Sequence, residues 1–183
     1  MKPSLKPRGP GPALENCGAP GPAQRLDTEL SVDCLRWAEV AEVAAVVARA
    51  AEAAFAAVPD APTPAEVSIA LVDDAAIRQL NRDFRGKDQP TNVLSFPAPP
   101  FGVPGAPVLL GDIAVAFETS AAEAAAEAKS ISDHLSHLVV HGVLHLLGFD
   151  HLDTEDAEHM EAAERDILAA LGIADPYAVR DAD

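Results

Sequence analysis

The 183-residue chain carries 29 acidic against 13 basic side chains, a formal net charge of −16, and is 49% apolar. That length and apolar share suit one domain with a real core, while the charge predicts solubility and general repulsion of polyanions, so a nucleic-acid role requires a local basic patch. Cys17 and Cys34 lack the spacing of a disulfide framework or thiolate metal site, and nothing resembles an export signal or the roughly 18 apolar residues of a membrane span, so a soluble cytoplasmic protein with no membrane partner is expected.

Taken in order, residues 1–26 are rich in Pro and Gly and lack periodicity; too little apolar surface is available there to offset the entropy of ordering. They read as a disordered leader, followed by a single domain over 27–177 and a tail over 178–183. Residues 28–35 alternate as a strand, and residues 36–58, with Trp37, Val40, Ala44 and Val47 at helical spacing, predict one long helix stopped by Pro59. In "EVSIALV" the residues Val67, Ile69 and Leu71 share a strand face, and Asp73 is placed to cap a short helix through Asn81.

"TNVLSFPA" and "GDIAVAFE" are two further strands, the second with Ile113, Val115 and Phe117 on one face, and Ser120 with Glu123 forms a capping-box pattern. Residues 132–147 predict a helix apolar around most of its circumference, hence buried, and ended by Gly148. A last helix over 154–171 turns Met160, Ala163, Ile167 and Ala170 inward and Glu155, Glu158, Glu161 and Glu164 mostly outward. Strands followed by a run of helices predict an α+β fold, a small mixed sheet of about four strands packed with about five helices.

All six histidines, His134, His137, His141, His145, His151 and His159, fall in one short segment. A single histidine on a buried helix is usually a hydrogen-bonded core residue, but several imidazoles facing one interior each need a partner, and a metal serves three at once. At about 1.5 Å rise per residue, His141 and His145 stand about 6 Å apart on one face and can converge on one ion, whereas His137 and His145 are about 12 Å apart. The third ligand has to return from beyond the helix end, and Gly148 permits the reversal that brings back His151. His137 is left as a packing or supporting residue. Asp150 either orients an imidazole or favours the turn. Three neutral nitrogens leave a fourth position open, as in a catalytic zinc site; imidazole alone does not exclude other metals. Position two of "HGVLHLLGFDH" is Gly142, where a zinc protease carries its glutamate base; that weighs against peptide hydrolysis.

"HGVLHLLGFDH", with the upstream "NRDFRGKDQPTNVLSFP" and "LLGDIAVAFE", closely resembles the YbeY family of bacterial endoribonucleases and ribosomal RNA maturation factors. The resemblance implies a metal-dependent, single-strand-specific endoribonuclease acting in 16S rRNA 3′-end processing and ribosome quality control. It implies that His141, His145 and His151 hold one zinc ion, that Arg85 is essential, and that the metal-binding helix is zinc-metalloprotease-like. Ribosomal RNA and small-subunit ribosomal proteins are the implied partners.

Arg78, Arg82, Arg85 and Lys87 supply the local positive charge that the acidic whole lacks. An arginine fork matches a phosphate, and the resemblance singles out Arg85 as the catalytic candidate, with Arg82, Lys87 and Ser95 as candidates for substrate binding. Arg85 otherwise pairs with Asp83 or Asp88, and Ser95 and Asn92 otherwise only shape the turn and strand. RNA brings its own 2′-hydroxyl nucleophile, so its cleavage does not need the missing glutamate. Two other readings stand beside this one, a ribosome-assembly factor with a structural metal and a zinc peptidase that recruits its base elsewhere.

Overall fold

The computed structural model describes residues 25–99, 105–150 and 154–178. Among them lie four strands, β1 (Leu26–Val32), β2 (Ala65–Val72), β3 (Val93–Pro97) and β4 (Val108–Ala116). Five α-helices accompany them: α1 (Val43–Ala56), α2 (Asp74–Arg85), α3 (Phe117–Ala126), α4 (Ile131–Leu146) and α5 (Thr154–Ala170). The sheet order is β1-β2-β4-β3; β1, β2 and β4 run parallel, and β3 lies antiparallel on the edge. This is the α+β architecture the sequence predicts. The proposed leader over 1–26 falls almost wholly outside the described residues, as do residues 179–183 of the tail.

The sheet sorts its side chains by strand alternation. Ala65, Val67, Ile69 and Leu71 of β2 are all buried, and register places Ile69 beside Ile113 and Leu71 beside Val115. This face belongs to the larger core, which also takes Val47, Ala50 and Ala54 of α1, Leu135, Val139 and Leu144 of α4, and Ile167 and Leu168 of α5. Val72, Leu94, Ala114 and Ala116 face the other way and form a smaller core with Ile77 of α2, against which Leu80 and Phe96 pack. Burying a Val or Leu side chain contributes about 1.5–3 kcal/mol, and α4 buries six of them, Leu135, Leu138, Val139, Val140, Val143 and Leu144. Helix α4 is therefore fixed by packing and can carry polar groups without losing its place.

Two local expectations are corrected. Residues 36–58 are not one helix: a 3-10 turn, Leu35–Glu39, precedes α1, and Glu42 between them has φ +50°. The break seats Trp37 deep in the core, with its ring edge-on to Phe117 and its Nε1–H donating to the carbonyl of Val72 at 3.2 Å. The capping box at Ser120 is also absent, because α3 starts directly from β4 and Ser120 lies buried inside it. The cap comes from α2 instead: Asp74 accepts the Thr119 N–H at 3.0 Å and its hydroxyl at 2.9 Å, while Glu118 accepts the Asp74 N–H at 2.9 Å. Two helix N-termini thus satisfy each other across 45 residues, which no local pattern reveals. Asp73 does cap α2, accepting from Ala76 N–H at 2.8 Å, although the helix runs to Arg85.

Candidate functional site

Three features of α4 set the site. Ser130 caps its start, accepting from the Asp133 N–H at 3.0 Å. In its middle, a Cβ on Gly142 would meet Ile113 Cδ1 at 2.9 Å and Cγ2 at 3.0 Å, so glycine lets the helix approach β4. A glutamate here would have to displace the Ile113 side chain, and its stem would start toward the sheet. At its end, Gly148 has φ +97°, donates to the carbonyl of His145, and lets Phe149 N–H reach the carbonyl of Leu144. This is a Schellman turn, which satisfies the last carbonyls and reverses the chain; the sequence places Gly148 in this role.

Within that frame the Nε2 atoms of His141 and His145 face each other at 3.1 Å. His141 Nδ1 lies 2.7 Å from Glu164 Oε1, and His145 Nδ1 lies 3.0 Å from the carbonyl oxygen of Phe149. A carboxylate and a carbonyl only accept, so both Nδ1 atoms donate, which in neutral rings leaves the Nε2 lone pairs pointing at one another. A shared cation resolves that opposition. Nitrogens bound to one zinc at about 2.0–2.1 Å are at most about 4.2 Å apart, and the pair meets that limit. The residues fit a zinc-like ion: two imidazoles turned inward, each held by an acceptor behind it. His141 retains 28% side-chain exposure, enough to keep the pole open to solvent. The third predicted ligand, His151, lies outside the described residues; among those described, no set of three such side chains is arranged to hold a metal.

Glu164 corrects the sequence reading. Expected on the outer face of α5, it is fully buried. One carboxylate oxygen takes His141, while the other takes His137 Nε2 at 3.0 Å and the Tyr177 hydroxyl. Burial by itself pushes the carboxyl up; the hydrogen bonds it accepts from His137, His141 and the Tyr177 hydroxyl outweigh it and hold it at about 2, below the ordinary 4.5. Burial and the Glu164 carboxylate in turn push the Tyr177 hydroxyl above its usual range. A signal was present in the sequence, since Met160, Ala163, Glu164, Ile167 and Leu168 follow the i, i+3, i+4, i+7, i+8 pattern of a buried stripe. A glutamate on such a stripe needs a partner.

The remaining histidines divide. His137 shares Glu164 with His141, its Nε2 lying on the other carboxylate oxygen. His134, one turn earlier and buried, lies 2.9 Å from Glu123 Oε2, which also accepts from Asn92 Nδ2 at 2.9 Å. Asn92 Oδ1 takes the Val93 N–H at 2.7 Å, so this residue anchors the start of β3. His159 stacks on Phe149 at 5.5 Å. Asp150 is exposed just past the Gly148 turn.

The cations at the end of α2 are unequal. Arg78 is paired with Asp88 at 2.8 Å and Arg82 with Asp83 at 3.2 Å. Those aspartates were the alternative partners of Arg85, yet Arg85 and Lys87 are exposed and make no ion pair with any described residue. Ser95 on β3 pairs in register with Ile113, so its side chain shares the sheet face covered by α4.

Fold and site together define a small α+β protein with a braced histidine pair on a buried helix. Residues 31–172 match the family model of the endoribonuclease YbeY. The Endoribonuclease YbeY of Paramagnetospirillum magneticum is 56% identical over 159 residues, covering 83% of this chain and 96% of that protein. The same-named protein of Azorhizobium caulinodans is 61% identical over 120 residues, 66% of this chain and 76% of its own length. The chain belongs to the YbeY family. The solution structure of TM1509 from Thermotoga maritima shares the fold, with a TM-score of 0.50 at 23% identity over 83% of this chain and 99% of that one. Among the described residues no helix is long and apolar enough to cross a membrane.

Proposed function

We propose that this protein is a metal-dependent endoribonuclease that cleaves single-stranded RNA, acting in the cytoplasm on 16S ribosomal RNA at its 3′ end and in ribosome quality control. The reading rests on family membership, and one observation carries its metal dependence: two imidazole Nε2 atoms 3.1 Å apart, each ring held from behind by an acceptor. His141 and His145, with His151 as the third ligand, would hold one zinc ion. When bound, it supplies Lewis acidity toward a phosphoryl oxygen or a water.

The chain's own residues do the rest. Glu164 and the Phe149 carbonyl fix which nitrogen each ligand presents. Arg85, free of the neighbouring aspartates, offers its fork to the scissile or an adjacent phosphate; Arg82 and Lys87 would hold neighbouring phosphates, and Ser95, on the α4 face of β3, would line the path on the histidine side. Asp150, the residue before His151 in the chain, would orient that imidazole or assist proton movement. With Gly142 filled by contact with Ile113, the helix position of a protease base holds no base, which suits a substrate whose 2′-hydroxyl can attack the neighbouring phosphorus. The formal charge of −16 favours contact with basic small-subunit ribosomal proteins over broad RNA affinity.

The test compares wild type, His141→Ala and Arg85→Glu for metal content and for cleavage of a single-stranded RNA and a peptide. Expected are loss of metal and RNA cleavage in the first variant, and retained metal with cleavage reduced at least about 100-fold in the second. Full activity in metal-free His141→Ala would overturn the assignment. A 2′,3′-cyclic phosphate end supports internal attack; a 3′-hydroxyl end eliminates it.

A further inference from the structure

The last turn of α2 displays a phenylalanine that the fold does not need. Phe84 is 69% exposed, although a side chain of its size gains about 1.5–3 kcal/mol when buried. Its ring lies 5.1 Å from that of Phe96, at an interplanar angle of 60°. Phe96 is half-buried against the smaller core, so the backing ring is fixed and restrains the exposed one. Arg85, the next residue, and Lys87, just past the Gly86 cap of α2, are exposed and make no ion pair with a described residue.

Phe96 lies on β3, whose only strand neighbour among the described residues is β4. Alternation along β3 sends Phe96 to the face of α2 and Ser95 to the face of α4, which carries the histidines. The edge strand thus joins the aromatic pair on one face to the histidine helix on the other.

Resting on the ribonuclease reading above, we propose that Phe84, backed by Phe96, is a stacking platform for an unpaired nucleobase, with Arg85 and Lys87 holding the phosphates next to it. An exposed ring beside uncommitted cations is the combination that single-stranded nucleic acid uses, because every base has a π-face and every linkage a charge. In a chain of net charge −16, two exposed cations with no ion pair to a described residue, within three positions of the exposed ring in the chain, favour a polyanion carrying aromatic groups over an apolar protein surface. A duplex, with its bases already stacked, gains nothing from the platform, which gives the site a physical preference for single strands.

The test uses the full-length metal-loaded protein and a labelled, cleavage-resistant 2′-O-methyl RNA oligomer of about ten nucleotides, beside an abasic oligomer with the same phosphates, both followed by fluorescence anisotropy. Phe84→Ala is expected to weaken binding of the base-bearing oligomer about 5- to 150-fold and to leave the abasic one unchanged. Phe84→Leu, which keeps an apolar contact with Phe96 but offers no π-face, should behave like Phe84→Ala. Phe84→Trp should restore affinity, and its indole emission should be quenched by the base-bearing oligomer alone, against the buried Trp37. If Phe84→Ala binds both oligomers as wild type does, the platform is refuted and the ring meets a protein or nothing. Equal weakening of both oligomers refutes it too, since that is an effect of charge or folding. A wild type that binds neither oligomer brings down the RNA reading with it, whereas a wild type that cleaves RNA beside unaffected Phe84 variants removes the platform alone.

Discussion

The histidine end of α4 and the cationic end of α2 lie on opposite faces of one sheet and are built on opposite plans. His141 and His145 are braced, each Nδ1 held by an acceptor and each Nε2 turned to a common point. Arg85 and Lys87 stand in solvent with no ion pair to a described residue. Under the proposed function, the difference follows from what each would bind. A metal ion tolerates little error in the direction of a lone pair, so its ligands are set before it arrives; a phosphate on a flexible strand can be followed by a long side chain whose charge is not already spent. On that proposal, bracing suits the inner end to a ligand of fixed geometry, and its absence suits the outer end to capture.

Breaking the brace should have the largest effect. Glu164→Ala strips His137, His141 and Tyr177 of their shared acceptor, and metal affinity measured by chelator competition should fall about 10- to 100-fold; unchanged affinity would show that His141 needs no support. Acid probes the same group. Its carboxyl is depressed from 4.5 to about 2, so its contribution to stability is complete above about pH 4.5 and is lost as the pH falls toward 2. Melts of metal-free wild type and Glu164→Gln should therefore differ most above pH 4.5 and converge below it, and a gap that widens in acid contradicts the assignment.

Altering the helix seat comes next. Gly142→Ala drives a methyl group into Ile113 and should cost about 1–3 kcal/mol of stability, read as a fall in Tm with the metal stoichiometry kept. An unchanged Tm would mean that Ile113 moves aside freely. On the capture side, Arg85→Lys keeps the charge but loses the fork, and should lower kcat/KM for RNA about tenfold with metal content unchanged; equal activity would reduce Arg85 to a point charge. Smallest of all, Arg78→Ala removes an exposed pair with Asp88 and should shift stability by less than about 1 kcal/mol. A larger loss would show that the cluster works as a network.

Much of this was legible in the sequence. Period-two alternation marked β2 and β4, and a helix apolar nearly all round marked α4 as buried. The spacing of His141 and His145 and the glycine at 148 gave the inward pair and the turn. The illegible parts depend on partners distant in the chain. Helix α1 starts late because Trp37 is needed in the core, and α3 is capped by Asp74 from another helix. Glu164 looked like one of four surface glutamates, and its burial makes sense only beside histidines some 23 residues away. Asp83 and Asp88, the alternative partners of Arg85, pair instead with Arg82 and Arg78, a choice the sequence does not disclose.

The turn after α4 has a consequence for mutational scanning. Phe149 ends the helix with its N–H and orients His145 with its carbonyl, and both groups are backbone, present whatever side chain stands there. Exchanging the ring for Leu would report on core packing and say nothing of the ligand. The position that controls the carbonyl is Gly148, whose left-handed conformation aims it and which touches neither imidazole with any side chain. A scan that scores residues by their own atoms would pass over the group that orients His145, and would attribute the sensitivity of Gly148 to folding alone.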